Sequence, residues 1–159
     1  MSRQKPLRVL VVCLGNICRS PAGEAALVEA AEEAGVELDV ESAGTGAWHV
    51  GDGRHPQIVA AGRRAGLSID GKARQIGSPE ELAGFDLIFV MDHSNLVAVE
   101  SMAPETADRV HYFRAFDGTD QDEIEDPYGR ADHAYDETVR LVRTAARGIV
   151  TAIADGRLP

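Results

Sequence analysis

An α/β fold, with a parallel sheet held between two layers of helices as a three-layer sandwich, is the architecture this sequence predicts, and three observations predict it. Apolar runs rich in β-branched residues at 7–12 and 85–91 show little polar alternation, which marks strands covered on both faces. Between the strand-like runs lie segments with helical punctuation, Ser or Pro at their starts and Gly at their ends. Strand and helix alternate along the chain instead of segregating, the pattern of crossovers between parallel strands. A chain of 159 residues suits a single domain, residues 1–159, with room for a sizeable core.

The elements follow in order. The first strand spans 7–12 and delivers Cys13 to a loop containing Gly15 and Asn16. A helix is expected from Ser20 to Ala34, with Ser20 as N-cap, Pro21 at the first helical position and Gly35 as terminator. A short alternating strand at 37–42 breaks into a loop at Ser42-Ala43-Gly44-Thr45, which also carries Trp48 and His49. Pro56 opens a second helix that ends near Ala65 before Gly66. Ser78-Pro79-Glu80-Glu81 is a capping-box start for a short helix closed by Gly84.

The third strand, 85–91, is the most apolar run and belongs near the centre of the sheet. Asp92 is the expected N-cap of the next helix, which Pro104 closes. A fourth strand at 109–113 precedes a segment, 117–126, in which six of ten residues are acidic. Such a charge block predicts an exposed, flexible loop. The last helix, 132–154, places Tyr135, Val139, Val142, Ala146, Ile149 and Ile153 on one stripe, which reads as core packing with no catalytic role.

Composition excludes several function classes. A formal net charge of −10 argues against nucleic-acid binding, which needs basic surfaces. No apolar run approaches the ~20 residues that span a bilayer. Arg3, Lys5 and the apolar run after them look like an export signal, but Arg8 interrupts the run and no small-residue cleavage site follows. Gly44-Thr45-Gly46 lacks the third glycine of a dinucleotide fingerprint, and no Gly-Lys-Ser/Thr is present. Asp120 and Asp122 hint at a calcium loop, but Glu125 occupies the place of its glycine. Histidine and cysteine spacings fit no metal site, so neither metal nor cofactor is expected. Two cysteines, one of them wanted as a free thiolate, make a reducing cytoplasm the expected location.

Chemistry concentrates in Cys13-Leu14-Gly15-Asn16-Ile17-Cys18-Arg19-Ser20-Pro21. A loop between a strand end and a helix start lets the amides of Leu14, Gly15, Asn16, Ile17 and Cys18 converge on an anion. Cysteine is nucleophilic only as thiolate, a form favoured by a helix N-terminus and a nearby cation. Arg19 offers a planar fork that matches two phosphate oxygens, and the Ser20 hydroxyl is placed to donate to the thiolate. Gly15 and Asn16 are residue types that tolerate positive φ in a tight loop. The implied reaction is attack of sulfur on phosphorus, with amides and Arg19 holding the equatorial oxygens.

This stretch resembles the phosphate-binding loop of the low-molecular-weight protein tyrosine phosphatases, and Asp126-Pro127-Tyr128-Gly129 is similar to their general-acid loop. Glu41-Ser42-Ala43-Gly44-Thr45, Trp48-His49-Val50-Gly51, Ala73-Arg74-Gln75-Ile76 and Met91-Asp92-His93-Ser94-Asn95 extend the resemblance in the same order over nearly the whole chain.

The resemblance implies four parallel strands in the order 2-1-3-4. It implies Cys13 as nucleophile, Arg19 as phosphate clamp and Asp126 as general acid, then base. Trp48, His49 and Tyr128 would meet the substrate, and Ser42 would orient Asn16. The implied substrate is a phosphotyrosine-containing protein, met by a monomer or weak dimer without nucleic acid or membrane. Two departures from the family pattern stand out. Gly71 occupies a position where many relatives carry a His that bonds the loop Asn, and Gly129 replaces a second aromatic. Two other readings share the loop. Arsenate reductases need relay cysteines downstream, and none follows Cys18; arginine-phosphate phosphatases tend to carry Thr where Ile17 stands.

Overall fold

Four strands, β1 (Leu7–Cys13), β2 (Leu38–Gly44), β3 (Leu87–Val90) and β4 (Val110–Tyr112), form one sheet in the computed structural model, which describes residues 5–158. The order is β2-β1-β3-β4 and every pairing is parallel, as the resemblance implies. Arg3, in the export-like start, lies outside the described residues. Four helices connect the strands, α1 (Arg19–Ala34), α2 (Pro56–Arg64), α3 (Pro79–Ala83) and α4 (His93–Met102), and α5 (Asp132–Ala154) follows β4. A 3₁₀ turn at Pro104–Arg109 follows α4, where proline ends the α-helical pattern.

Strand alternation divides the core into two layers. Val9, Val11 and Cys13 of β1 and Leu87 and Phe89 of β3 pack with residues of α1, α2 and α5. Leu10, Val12, Ile88 and Val90 point the other way, against Leu82 of α3 and Val99 of α4. Both central strands are therefore buried on both faces, which explains why their sequences lack polar alternation. Tyr135, Val139, Val142, Ala146 and Ile149 of α5 are buried as its stripe predicts, while Ile153 at the helix end is only partly covered.

Three local expectations are corrected. Helix α1 begins at Arg19, with Cys18 in the cap position, two residues before the expected cap, and no side chain capping it. Ser20 is not the cap, because its hydroxyl is engaged by Cys13 and Asn16. Strand β2 does not break at Ser42 but continues to Gly44, whose N–H donates to Arg74 O and whose carbonyl accepts from Ile76 N. Only glycine fits there: a Cβ on Gly44 would lie 2.7 Å from Leu14 O.

The acidic segment is the third correction, since it is pinned at both ends. Ile124 is buried and its N–H donates to Met91 O. Arg114 reaches Asp117, Thr119 and the Glu123 carbonyl. Between and beyond these ties the segment is exposed as expected, the uncharged Gly118, Thr119 and Gln121 included.

Candidate active site

The loop after β1, the Trp48 loop after β2, Asp92 after β3 and Asp126 after β4 all leave the carboxyl ends of parallel strands, so one edge of the sheet gathers them. Register aligns the first two, with Cys13 opposite Gly44, and Thr45 N and Gly46 N donate to Cys13 O and Leu14 O. They meet in a cleft of about 310 Å³ lined by Cys13 to Gly15, Ile17 to Arg19, Trp48, His49, Asp126 and Tyr128. A larger cavity of about 820 Å³ opens behind the acid loop, between α4 and α5, and shares Arg19 and Asp126 but not the thiol.

Cys13 is buried, with Sγ 3.0 Å from Ser20 Oγ and accepting from the Asn16 N–H at 3.3 Å. Asn16 sits at φ +56°, the single non-glycine residue with positive φ among those described. That left-handed turn folds the loop back towards its own sulfur. Its side chain donates from Nδ2 to Ser20 Oγ at 2.8 Å and to Ser42 Oγ at 3.0 Å. Ser42 in turn donates to Glu24. Two serines thus hold Asn16, so Ser42 is placed beside it as expected.

Arg19 is buried and held from behind: Nη1 donates to Asp92 Oδ2 at 2.7 Å and to Ile124 O at 2.9 Å. Burial pulls its pKa down, but the Cys13 charge, the Asp92 hydrogen bond and Asp126 outweigh this and hold it above the ordinary value. Cys18, by contrast, is pushed up to about 12, first by burial and then by the charges of Asp126 and Cys13, against the opposing pull of Arg19. It is therefore a neutral thiol beside the cleft. Both cysteines are free.

Asp126 is half-exposed at the mouth, its Oδ2 3.8 Å from Arg19 Nη2 and its Oδ1 accepting from Tyr128 N at 3.1 Å. Trp48, 74% exposed, stands clear of the core and forms one wall. His49 packs on Gly15, where an added Cβ would lie 3.0 Å from the His49 ring. Tyr128 forms the opposite wall, edge-on to His55 with ring centroids 5.5 Å apart. His55 stacks on Tyr135 at 5.3 Å and 14°, so this residue of the α5 stripe also underlies the site.

The structure thus places each site residue named from the sequence either in the lining of this cleft or in hydrogen-bond contact with its cysteine loop. It adds three that were missed there. Asp92 caps α4 with Oδ1 as expected, accepting from Asn95 N at 2.8 Å, but also braces Arg19 with Oδ2. His55 accepts from Gln57 N through Nδ1 and supports Tyr128. Arg54 donates through Nη1 to Asn16 O at 2.7 Å and to Asn16 Oδ1 at 3.0 Å. Asp92 had a visible sequence signal as a cap. Arg54 had none, since its partner lies 38 residues away in sequence.

Among the described residues no cluster of His, Cys, Asp and Glu is arranged to hold a metal ion, and no helix is long and apolar enough to cross a membrane.

The family model described as low molecular weight phosphotyrosine protein phosphatase matches residues 8–157. A low molecular weight protein-tyrosine-phosphatase from Streptomyces coelicolor is 35% identical, over 92% of this chain and 93% of its own length. The crystal structure of YfkJ from Bacillus subtilis superposes with a TM-score of 0.89 at 33% identity, covering 98% of this chain and 99% of that one. The YwlE arginine phosphatase, 24% identical, shares the fold with a TM-score of 0.86 over 95% of this chain and 98% of its own. With a matching model over nearly its whole length and relatives above 30% identity end to end, the chain belongs to the low molecular weight phosphotyrosine protein phosphatase family.

Proposed function

We propose that this protein hydrolyses phosphotyrosine in proteins, and aryl phosphate monoesters generally, through a phosphocysteine intermediate. The observation that carries the reading is the convergence of the Cys13 sulfur, the braced Arg19 fork and the half-exposed Asp126 carboxyl on one cleft. Loop amides and Arg19 hold the three equatorial oxygens of the phosphoryl group. Cys13 thiolate attacks phosphorus as the bond to the aryl oxygen breaks, and Asp126 gives that oxygen its proton. Water then attacks the thiophosphate, passing a proton to Asp126, and the phosphorus–sulfur bond breaks to release phosphate and the thiolate. The Ser20 hydroxyl, 3.0 Å from Sγ, stabilises sulfur as it leaves.

Substrate preference rests on the walls. Trp48 and Tyr128 offer aromatic faces to a phenyl ring. Ile17 supplies an apolar, branched surface rather than the hydroxyl expected for an arginine-phosphate enzyme, and the absence of any cysteine after Cys18 leaves an arsenate reductase without a relay. The test is phosphate release from phenyl phosphate, from a phosphotyrosyl peptide and from a phosphoarginyl peptide, by wild type and Cys13→Ser. Turnover of the first two that vanishes in the variant is expected. Faster turnover of phosphoarginine, or a fully active variant, would overturn the proposal.

A further inference from the structure

We infer that Arg54 is a positioning residue for Cys13, acting through Asn16; the inference rests on the phosphatase reading given above. The Arg54 side chain is only 7% exposed, although it comes from a loop. Three of its five N–H donors are taken, two from Nη1 by the carbonyl and the Oδ1 of Asn16 and one from Nε by Asp70 O at 2.9 Å, while Nη2 faces Glu24 Oε1 at 3.8 Å as an ion pair. Both acceptors of the one strained loop residue are therefore held by one guanidinium.

The consequence travels along a chain of hydrogen bonds whose directions are fixed at both ends. Asn16 Oδ1 faces two donors, Arg54 Nη1 and the Arg74 N–H at 3.0 Å. The amide NH₂ must then face the serines, and it spends one proton on each. Ser42, accepting from Asn16, turns its own proton to Glu24. Ser20, likewise accepting from Asn16, has its proton left for Cys13 Sγ. Reversing the Asn16 amide would put its oxygen against Ser20 and draw that proton away from the sulfur. Arg54 opposes this reversal with a charge-assisted bond, and it ties the same residue's backbone at the left-handed turn.

Room for this side chain comes from Gly71. That residue has φ +97°, and a Cβ there would lie 3.3 Å from Arg54 Nη2. A side chain at position 71 would be strained in its backbone and would press on the guanidinium. Arg54 and Gly71 thus form a matched pair. Burial lowers the Arg54 pKa against the pull of the Glu24 charge, but a guanidinium keeps its proton across the working pH range.

The experiment is a double-mutant cycle on aryl phosphate hydrolysis with Arg54→Gln, Asn16→Gly and both together, with thermal unfolding recorded for each. Glycine keeps the left-handed turn while deleting the amide. Arg54→Gln is expected to lower kcat by about tenfold to a hundredfold. KM and the inhibition constant of inorganic phosphate should change less than kcat, by up to about threefold, because Arg54 meets the phosphate loop only at Asn16. The double variant should be no slower than Asn16→Gly, since Arg54 acts through that amide. Arg54→Lys should recover part of kcat, as an ammonium reaches one Asn16 acceptor but cannot also hold Asp70 O.

Unchanged kcat in Arg54→Gln, multiplicative losses in the double variant, or a loss of phosphate binding equal to the loss in kcat would overturn the inference. If Arg54→Gln does not fold, Arg54→Lys with Asn16→Gly reads the same coupling. A wild type without Cys13-dependent hydrolysis would instead overturn the phosphatase reading, so the two failures are distinguishable.

Discussion

Replacing Asp126 separates its two roles in the structure. As a general acid it protonates the leaving oxygen, a contribution of about 10²–10⁴-fold in rate. As an acceptor it holds the Tyr128 N–H at 3.1 Å, which stiffens the turn bearing the tyrosine wall. One such hydrogen bond is worth about 0.5–1.5 kcal/mol, or roughly twofold to tenfold if the loss falls wholly on the transition state. Asp126→Ala removes both, whereas Asp126→Asn keeps an acceptor oxygen and removes only the proton.

For tyrosyl or phenyl phosphate, whose leaving group has a pKa near 10, both variants should lose at least about a hundredfold in the rate of phosphoenzyme formation. For a nitro-substituted aryl phosphate, whose oxide leaves without help, Asp126→Asn should be close to wild type. Asp126→Ala should then keep only the loop penalty of up to about tenfold. Rapid-quench measurement of the first turnover across a series of aryl esters gives the slope against leaving-group basicity, steeper in both variants than in wild type. Equal losses for good and poor leaving groups would refute the acid role and leave Asp126 as a loop brace.

Arg19→Lys should lower kcat/KM by about a hundredfold or more, because an ammonium cannot hold Asp92 and Ile124 O while forking two phosphate oxygens; steady-state kinetics with wild-type values would remove the clamp. Peroxide should inactivate the enzyme reversibly, the Cys13 sulfenic acid condensing with the neutral Cys18 thiol to give a disulfide and water. Recovery with dithiothreitol should be poorer in Cys18→Ser, and equal recovery would discard the protective role. Gly148→Ala should destabilise the fold by about 1–3 kcal/mol, since its Cβ would lie 1.9 Å from Phe116 O, a backbone atom that cannot step aside; an unchanged unfolding midpoint would show that α5 shifts freely there.

The sequence by itself determined the layered α/β fold, the cysteine loop and the span of α5, because each depends on contacts close in the chain or on patterns that repeat. Two-sided burial writes itself as unbroken apolar runs in β1 and β3, and a 23-residue helix writes its period several times over. Local rules failed where a distant partner outbid them. Ser20 looks like a cap, but Cys13 and Asn16 take its hydroxyl; Ser42 to Gly44 looks like a loop, but Arg74 and Ile76 complete its hydrogen bonds. The acidic segment looks free until Ile124 enters the core and Arg114 gathers its backbone.

Tertiary structure alone decided how the loop is braced. Asp92 meets Arg19 across 73 positions, and Arg54 meets Asn16 across 38. Neither separation leaves a periodic trace in the chain. The substitution of glycine at position 71 reads in sequence as a lost support, and only in three dimensions as the space an arginine from another loop fills. Spacing along a chain fixes which residues share an element, whereas charge pairing and excluded volume between elements fix which side chain holds the nucleophile's neighbour in place.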